Sequence, residues 1–183
     1  MSPLIYTGIL VLIGIYAVSI YNALIRLKNM TDEAWSGIDV QLRKRYNLIP
    51  NLVNTVKGYA KHEKEVFESV VEKRSAGMNA KTVKEQEQAE NAISKSLLDL
   101  FALAENYPDL KANQNFLDLQ QQLKVVEEDI EQSRRYYNGA ARNYNIKIES
   151  FPSNLVASMA GHQIRDYFEI EQAGQREVPE VKF

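Results

Sequence analysis

The chain of 183 residues contains no cysteine and only two histidines, His62 and His162. The missing cysteines exclude disulfides, thiolate zinc sites, iron–sulfur clusters and a cysteine nucleophile. Two histidines offer few ligands for a metal centre, so we expect neither a metal nor another cofactor. A net charge of −2 does not provide the basic surface typical of nucleic-acid binders, and we expect no nucleic-acid partner.

Charged side chains are also missing from the first 25 residues, because all 22 Lys and Arg and all 24 Asp and Glu residues follow them. The run from Leu4 to Ile25 is apolar, and about 20 helical residues cover the ~30 Å hydrocarbon core of a bilayer. A cleaved signal peptide would need a basic region before the run and a small-residue site after it. Since the sequence has neither, we predict an anchor over residues 1–25, with a buried core helix as the alternative.

The charges that flank the anchor predict its orientation. No Lys or Arg precedes the span, whereas Arg26 and Lys28 follow it directly. By the positive-inside rule, the N-terminus lies outside and the rest of the chain lies in the cytoplasm. The absence of cysteine agrees with a reducing compartment.

Apolar residues after the anchor recur every three or four positions, which is helical spacing. The pattern predicts helices from Trp35 to about Gly77 with a kink at Pro50, over about 83–106, over about 113–149, and a short one capped by Ser153. Strand signals are almost absent. We therefore predict an all-α fold, with an N-terminal transmembrane helix followed by an antiparallel up-and-down bundle of long helices over residues 26–168. The tail, residues 169–183, is predicted to be extended, either solvated or docked in a groove of its own or a neighbouring chain.

Catalytic motifs are missing from the sequence. His62 and Glu63 begin like a zinc-protease helix, but position 66 is valine where the motif needs histidine. The chain has no Walker loop, G-x-G-x-x-G or G-x-S-x-G. We therefore predict no catalytic residue and no enzymatic activity, with an enzyme that uses Glu or His residues of the bundle as a remaining alternative.

Several blocks of sequence resemble the LemA family of bacterial membrane proteins: IDVQL at 38–42, IPNLV at 49–53 and AENYPDLKANQNF at 104–116. The likeness covers nearly the whole chain, except that residues 159–162 depart from the aromatic–Gly–aromatic pattern more usual in the family. The resemblance implies a single-pass protein of the bacterial inner membrane, a cytoplasmic antiparallel bundle and no established enzymatic activity. It also implies a role in envelope maintenance, with a membrane protease or another envelope protein as partner.

Two functions suit these features. The first is a non-enzymatic, membrane-anchored scaffold or adaptor that acts through protein–protein association, including association with copies of itself. We expect a buried polar pairing such as Asp39 with Arg45, or Asn51 across helices, and we expect the two glycines at close helix contacts or, alternatively, at local hinges. The candidate structural or partner-interface residues are Trp35, Asp39, Gln41, Pro50, Asn51, Gly58, His62, Asn115 and Gly139.

The alternative is a sensor of anionic lipid that uses basic residues near the bilayer. A straight helix would carry Arg43 about 26 Å past Arg26, beyond a Debye length of about 10 Å, so pairing between helices competes with the lipid role for the later residues. The candidate lipid contacts are Arg26, Lys28, Arg43, Lys44 and Arg45.

Overall fold

The structure, a computed structural model, describes residues 3–168. These residues form helices and connecting segments, and the described part contains no strand. The all-α prediction is therefore confirmed. The helices are α1 Pro3–Lys57, α2 Lys64–Asn79, α3 Val83–Ala104, α4 Pro108–Lys111, α5 Gln114–Glu149 and α6 Ser153–Met159.

Helix α1 carries both the apolar run and the first helix of the bundle without interruption. It continues through Pro50, as the unbroken spacing of apolar residues predicts. Its N-terminal part is long and apolar enough to cross a membrane. Packing against other helices begins at Ile20, so the boundary that we proposed between residues 25 and 26 lies inside a packed, continuous helix.

The prediction that this helix extends to about Gly77 is wrong, because α1 ends at Lys57. Gly58 follows, where glycine's backbone freedom disfavours a continued helix. The amides of Tyr59 and Ala60 both donate to the carbonyl of Val56, which closes a turn. After this turn α2 runs back along α1, and Arg74 Nε donates to the Tyr46 carbonyl oxygen at 2.7 Å.

Caps begin the next two long helices. Thr82 and Glu85 form a reciprocal capping box at the start of α3, and Asn113 accepts from the Phe116 amide at the start of α5. Helices α1 and α3 run away from the anchor end of the bundle, whereas α2 and α5 run towards it. The predicted up-and-down arrangement follows from these directions.

The apolar core lies between two antiparallel helix pairs, α1 packed along α5 and α2 packed along α3. A smaller cluster at the anchor end joins Ile20 and Leu24 of α1 to Tyr144 of α5 and Ala157 of α6. The predicted capping role of Ser153 is wrong, since it is the first residue of α6. Its hydroxyl instead donates to the carbonyl oxygens of Lys147 and Ser150. The predicted tail, residues 169–183, lies outside the described residues.

Candidate binding groove for an extended segment

A network of buried polar side chains joins α1 to α3 and α5 in the middle of the bundle. Arg45 Nη1 lies 3.0 Å from Glu90 Oε2, and both side chains are only 1% exposed. Arg45 also donates to Ser94 Oγ at 2.8 Å. Its Nε is 3.0 Å from Glu127 Oε1, an ion pair that falls outside hydrogen-bond geometry. Because a buried guanidinium needs partners on several sides, this network fixes how the helices face each other.

Glu90 has a second set of partners on its other carboxylate oxygen. Tyr46 Oη donates to Glu90 Oε1, and Gln86 Nε2 lies 2.8 Å from both of these oxygens. Gly77 of α2 closes over the group, since a Cβ there would lie 2.7 Å from Tyr46 Oη and 3.0 Å from Glu90 Oε1. Both carboxylate oxygens of Glu90 thus accept hydrogen bonds from within the bundle. Among residues 3–168, no three His, Asp or Glu side chains are grouped to hold a metal ion.

The segment from His162 to Phe168, called here the docked segment, lies in a groove formed by α1, α5 and the start of α3. Asn145 donates to the Arg165 carbonyl oxygen and accepts from the Arg165 amide, both at 2.8 Å. Asn138 makes the same pair of bonds to the backbone of Phe168, both at 2.9 Å. Each asparagine therefore satisfies the complete backbone of one residue.

The distance between the two asparagines along α5 matches the distance between the two backbone units that they bind. Asn138 and Asn145 are seven residues apart on α5, and seven helical residues rise about 10.5 Å. Arg165 and Phe168 are three residues apart, and three extended residues span about 10 Å. Two turns of helix thus have the same length as three residues of extended peptide, so both asparagines can bind the docked segment at once. The segment runs antiparallel to α5, because its later residue, Phe168, pairs with the earlier asparagine, Asn138.

An aromatic pocket holds the end of the docked segment. The ring of Phe168, 4% exposed, stacks on Trp35 at 5.7 Å between centroids with an interplanar angle of 11°. Tyr137 meets the Phe168 ring edge-on at 5.6 Å, and the Arg134 guanidinium lies 5.2 Å from its centroid. Stacked, edge-on and cation–π contacts each add to the burial of apolar area, so this pocket anchors the segment.

Polar contacts fix the segment between these anchor points. Arg165 pairs with Asp32 of α1 at 2.8 Å, and Tyr137 Oη donates to the Asp166 carbonyl oxygen at 3.0 Å. Burial raises the pKa of the Tyr137 hydroxyl, which therefore stays protonated and able to donate. At the start of the segment, His162 Nδ1 lies 2.7 Å from Tyr144 Oη. The groove thus contacts the backbone of Arg165, Asp166 and Phe168, and the side chains of His162, Arg165 and Phe168.

The structure changes the interpretation of the basic residues. Arg45 is buried in the polar network and cannot contact lipid in this fold. Arg43 is exposed and pairs with Asp39 at 2.8 Å, in place of the Asp39–Arg45 pair that we expected. Because α1 is continuous, Arg43 and Lys44 lie about 26 Å or more beyond Arg26 along its axis. Arg26 and Lys28 remain the basic residues next to the apolar run.

The other predicted interface residues fall into different environments. Trp35 lines the aromatic pocket, while Gln41 is half-buried and its Oε1 has no hydrogen-bond partner among the described residues. Pro50 is half-buried inside α1. The exposed candidates remain predicted partner contacts, and these are Asn51, Gly58, His62 and Asn115.

The close helix contacts expected at the two glycines are absent. A Cβ on Gly139 would meet nothing within 4 Å. At Gly58 the only atom within 4 Å of an added Cβ is the carbonyl oxygen of Thr55, in the preceding turn of the same chain segment. Neither glycine therefore lies at a close contact with another helix.

The sequence interpretation missed Asn138, Asn145 and the docked segment. The available signal was a pair of asparagines seven residues apart on the inner face of a long helix, next to Tyr137 and Tyr144. Buried amides need partners, and in the structure both asparagines find them outside α5.

Comparison with known proteins agrees with the fold. The family model described as "LemA family" matches residues 34–183. Magnetosome protein MamQ 2 of Paramagnetospirillum magneticum is 27% identical over 180 aligned positions, which cover 84% of this chain and 66% of that protein. Protein LemA of Metamycoplasma hominis is 29% identical over 141 positions, covering 74% of this chain and 63% of the relative. The chain thus spans slightly less than two thirds of the length of these relatives, and by the match over residues 34–183 it belongs to the LemA family.

Proposed function

We propose that this protein is a non-enzymatic, membrane-anchored adaptor that acts through protein–protein association, including association with copies of itself. The groove between α1 and α5 is its binding site, and an extended segment of a second copy, equivalent to His162–Phe168, is the occupant. The observation that carries the proposal is the pairing of Asn138 and Asn145 with complete backbone units of that segment.

Backbone pairing supports a role in association because it is independent of sequence at the paired positions. The same mode of recognition operates when an extended peptide is added to a sheet edge, where main-chain bonds give affinity and side-chain pockets give specificity. Here the pocket of Trp35 and Tyr137 supplies specificity for an aromatic side chain. A segment that docks in its own chain can exchange with that of a neighbour, as in domain swapping.

The anchor would raise the local concentration of copies and thus favour exchange. We further propose that the bundle lies on the cytoplasmic side of a bacterial inner membrane, because Arg26 and Lys28 directly follow the apolar run. A role in envelope maintenance, with another membrane protein as partner, would use the same groove.

Cross-linking between copies tests the proposal, and the absence of native cysteine simplifies it. One tagged population of full-length protein carries Asp32→Cys and a second, differently tagged population carries Arg165→Cys. Both are reconstituted in the same vesicles and treated with a short bismaleimide. Because these two positions form an ion pair at 2.8 Å in the docked state, exchange predicts a covalent product that contains both tags.

A matched control replaces Asp32→Cys by Glu68→Cys, an exposed carboxylate position on α2.

A second experiment measures binding of a labelled peptide, AGHQIRDYF, to a Phe168→Ala chain and to the same chain with Asn138→Ala and Asn145→Ala. Asn143→Ala, an exposed asparagine of the same helix, is the control for that experiment. The proposal fails if mixed cross-links do not exceed the Glu68 control and the peptide does not bind.

A further inference from the structure

A second charge-free stretch lies near the end of the bundle. From Ser150 to Ile164 the chain contains no Asp, Glu, Lys or Arg. Four large apolar side chains in this stretch are exposed: Phe151 is 81% exposed, Leu155 57%, Met159 90% and Ile164 59%. A patch of exposed apolar residues without charges is typical of a surface that contacts a membrane or another protein. Residues 150–160, the α5–α6 turn and α6, are called here the membrane foot.

The foot packs against the part of α1 that belongs to the apolar run. Ala157 and Val156 of α6 contact the cluster that contains Ile20 and Leu24. Phe151 and Pro152 of the turn line the same groove as Tyr16 and Ile20. Lys147 lines this groove as well, and a lysine side chain is long enough to extend its charged end to the headgroups. The foot therefore lies beside residues 16–24 of α1, at the same height along the helix axis as the end of the predicted span.

The length of the span places this level inside the bilayer. Sixteen residues, from Leu4 to Ser19, precede the first packed residue of α1, and they rise about 24 Å. The hydrocarbon core is about 30 Å thick and needs about 20 helical residues, which brings its boundary to about residue 23. A tilted helix would need still more residues. The turn that contains Phe151 thus falls on the hydrocarbon side of that boundary.

The backbone of the turn suits such an environment. Exposed carbonyl groups are costly in lipid unless they are hydrogen-bonded within the protein. The Ser150 hydroxyl donates to the Ile146 carbonyl oxygen at 2.6 Å, and the Ser153 hydroxyl is 2.7 Å from that of Lys147 and 2.9 Å from that of Ser150. The amides of Ser150 and Asn154 also donate to the carbonyl oxygens of Ile146 and Ser150. The serine hydroxyls thus add second bonds to these two groups, and Ser153 supplies a donor to the carbonyl of Lys147.

We propose that the membrane foot inserts into the leaflet next to the bundle, with Phe151 deepest and Met159 nearest the headgroups. The foot and the anchor then hold the bundle in one fixed orientation on the bilayer. This proposal rests on the membrane anchoring in the proposed function. It does not require association between copies.

Depth measurement on single-cysteine variants tests the proposal. Full-length F151C, L155C and M159C are labelled with the fluorophore NBD, reconstituted in phosphatidylcholine vesicles and exposed to a nitroxide lipid or to aqueous cobalt. Two controls bracket them: L10C in the span, and L98C, an exposed leucine of α3 far from the anchor end. Emission of Trp35 checks that each variant is folded.

The expected result is lipid quenching and loss of cobalt quenching at positions 10, 151, 155 and 159, with the opposite pattern at 98. Cobalt quenching at 151 equal to that at 98, with position 10 still quenched by lipid, overturns the foot and leaves the anchor intact. Cobalt quenching at position 10 overturns both. Protection of 151 from cobalt without lipid quenching, with energy transfer between labelled copies, overturns the proposal in favour of a second copy.

Discussion

Replacement of Glu90 by glutamine should destabilise the bundle far more than a change of one charge usually does. The carboxylate lies 3.0 Å from Arg45 Nη1, and both side chains are 1% exposed. Removal of one partner from a buried ion pair costs about 3–5 kcal/mol, because it leaves a buried charge without compensation. Glu127 remains 3.0 Å from Arg45 Nε, so we expect the low end of this range, about 3 kcal/mol.

Glutamine has nearly the size of glutamate, so loss of charge and not a cavity would cause the effect. Its side-chain oxygen can still accept from Tyr46 and Gln86, which both contact Glu90 Oε1 in the present structure. The assay is urea unfolding of the detergent-solubilised full-length chain, followed by the emission of Trp35, the only tryptophan. With a slope of about 1–3 kcal/mol/M, the midpoint should fall by about 1 to 3 M.

Glu131→Gln is the matched control, since Glu131 pairs with Arg135 at 3.1 Å while both side chains are more than 60% exposed. Exposed pairs of this kind contribute about 0.2–1 kcal/mol, and its midpoint should barely move. Replacement of both buried partners, Arg45→Met with Glu90→Leu, should cost less than the sum of the single changes. A Glu90→Gln midpoint equal to that of Glu131→Gln would refute this account of the network.

Three further predictions follow from the packing and charges. Gly77→Ala should cost about 1–3 kcal/mol in the same urea assay, because its Cβ would lie 2.7 Å from Tyr46 Oη; no loss would mean that this contact relaxes freely. Phe168→Ala should shift the emission of Trp35 to longer wavelength and speed proteolysis after residue 160, since the stacked ring leaves the pocket; an unchanged spectrum would contradict the docked state. Burial raises the pKa of Glu127, so the folded state binds its proton more tightly than the unfolded state. As pH falls from 7 towards 4.5, the wild type should therefore gain urea stability relative to Glu127→Gln, and a constant difference would refute the burial effect.

Local patterns predicted the anchor and determined the all-α class and two of the long helices. The charge-free run is long and apolar enough to cross a membrane, where charged side chains would be costly. Apolar spacing predicted the ends of α3 and α5 to within about two residues. This was possible because capping residues and Pro-containing turns, which are recognisable in the sequence, bound both helices. Resemblance to the LemA family added a name that the match over residues 34–183 confirms.

Tertiary structure alone decided where α1 ends and which polar groups meet. A stripe of apolar residues keeps its register whether a helix continues or reverses, so spacing could not distinguish an end at Lys57 from one near Gly77. Arg45 and Glu90 are 45 positions apart, and Asn138 lies 30 positions before Phe168. Such pairs form because folding brings distant groups together out of water, and a linear pattern shows the need for a partner without identifying it.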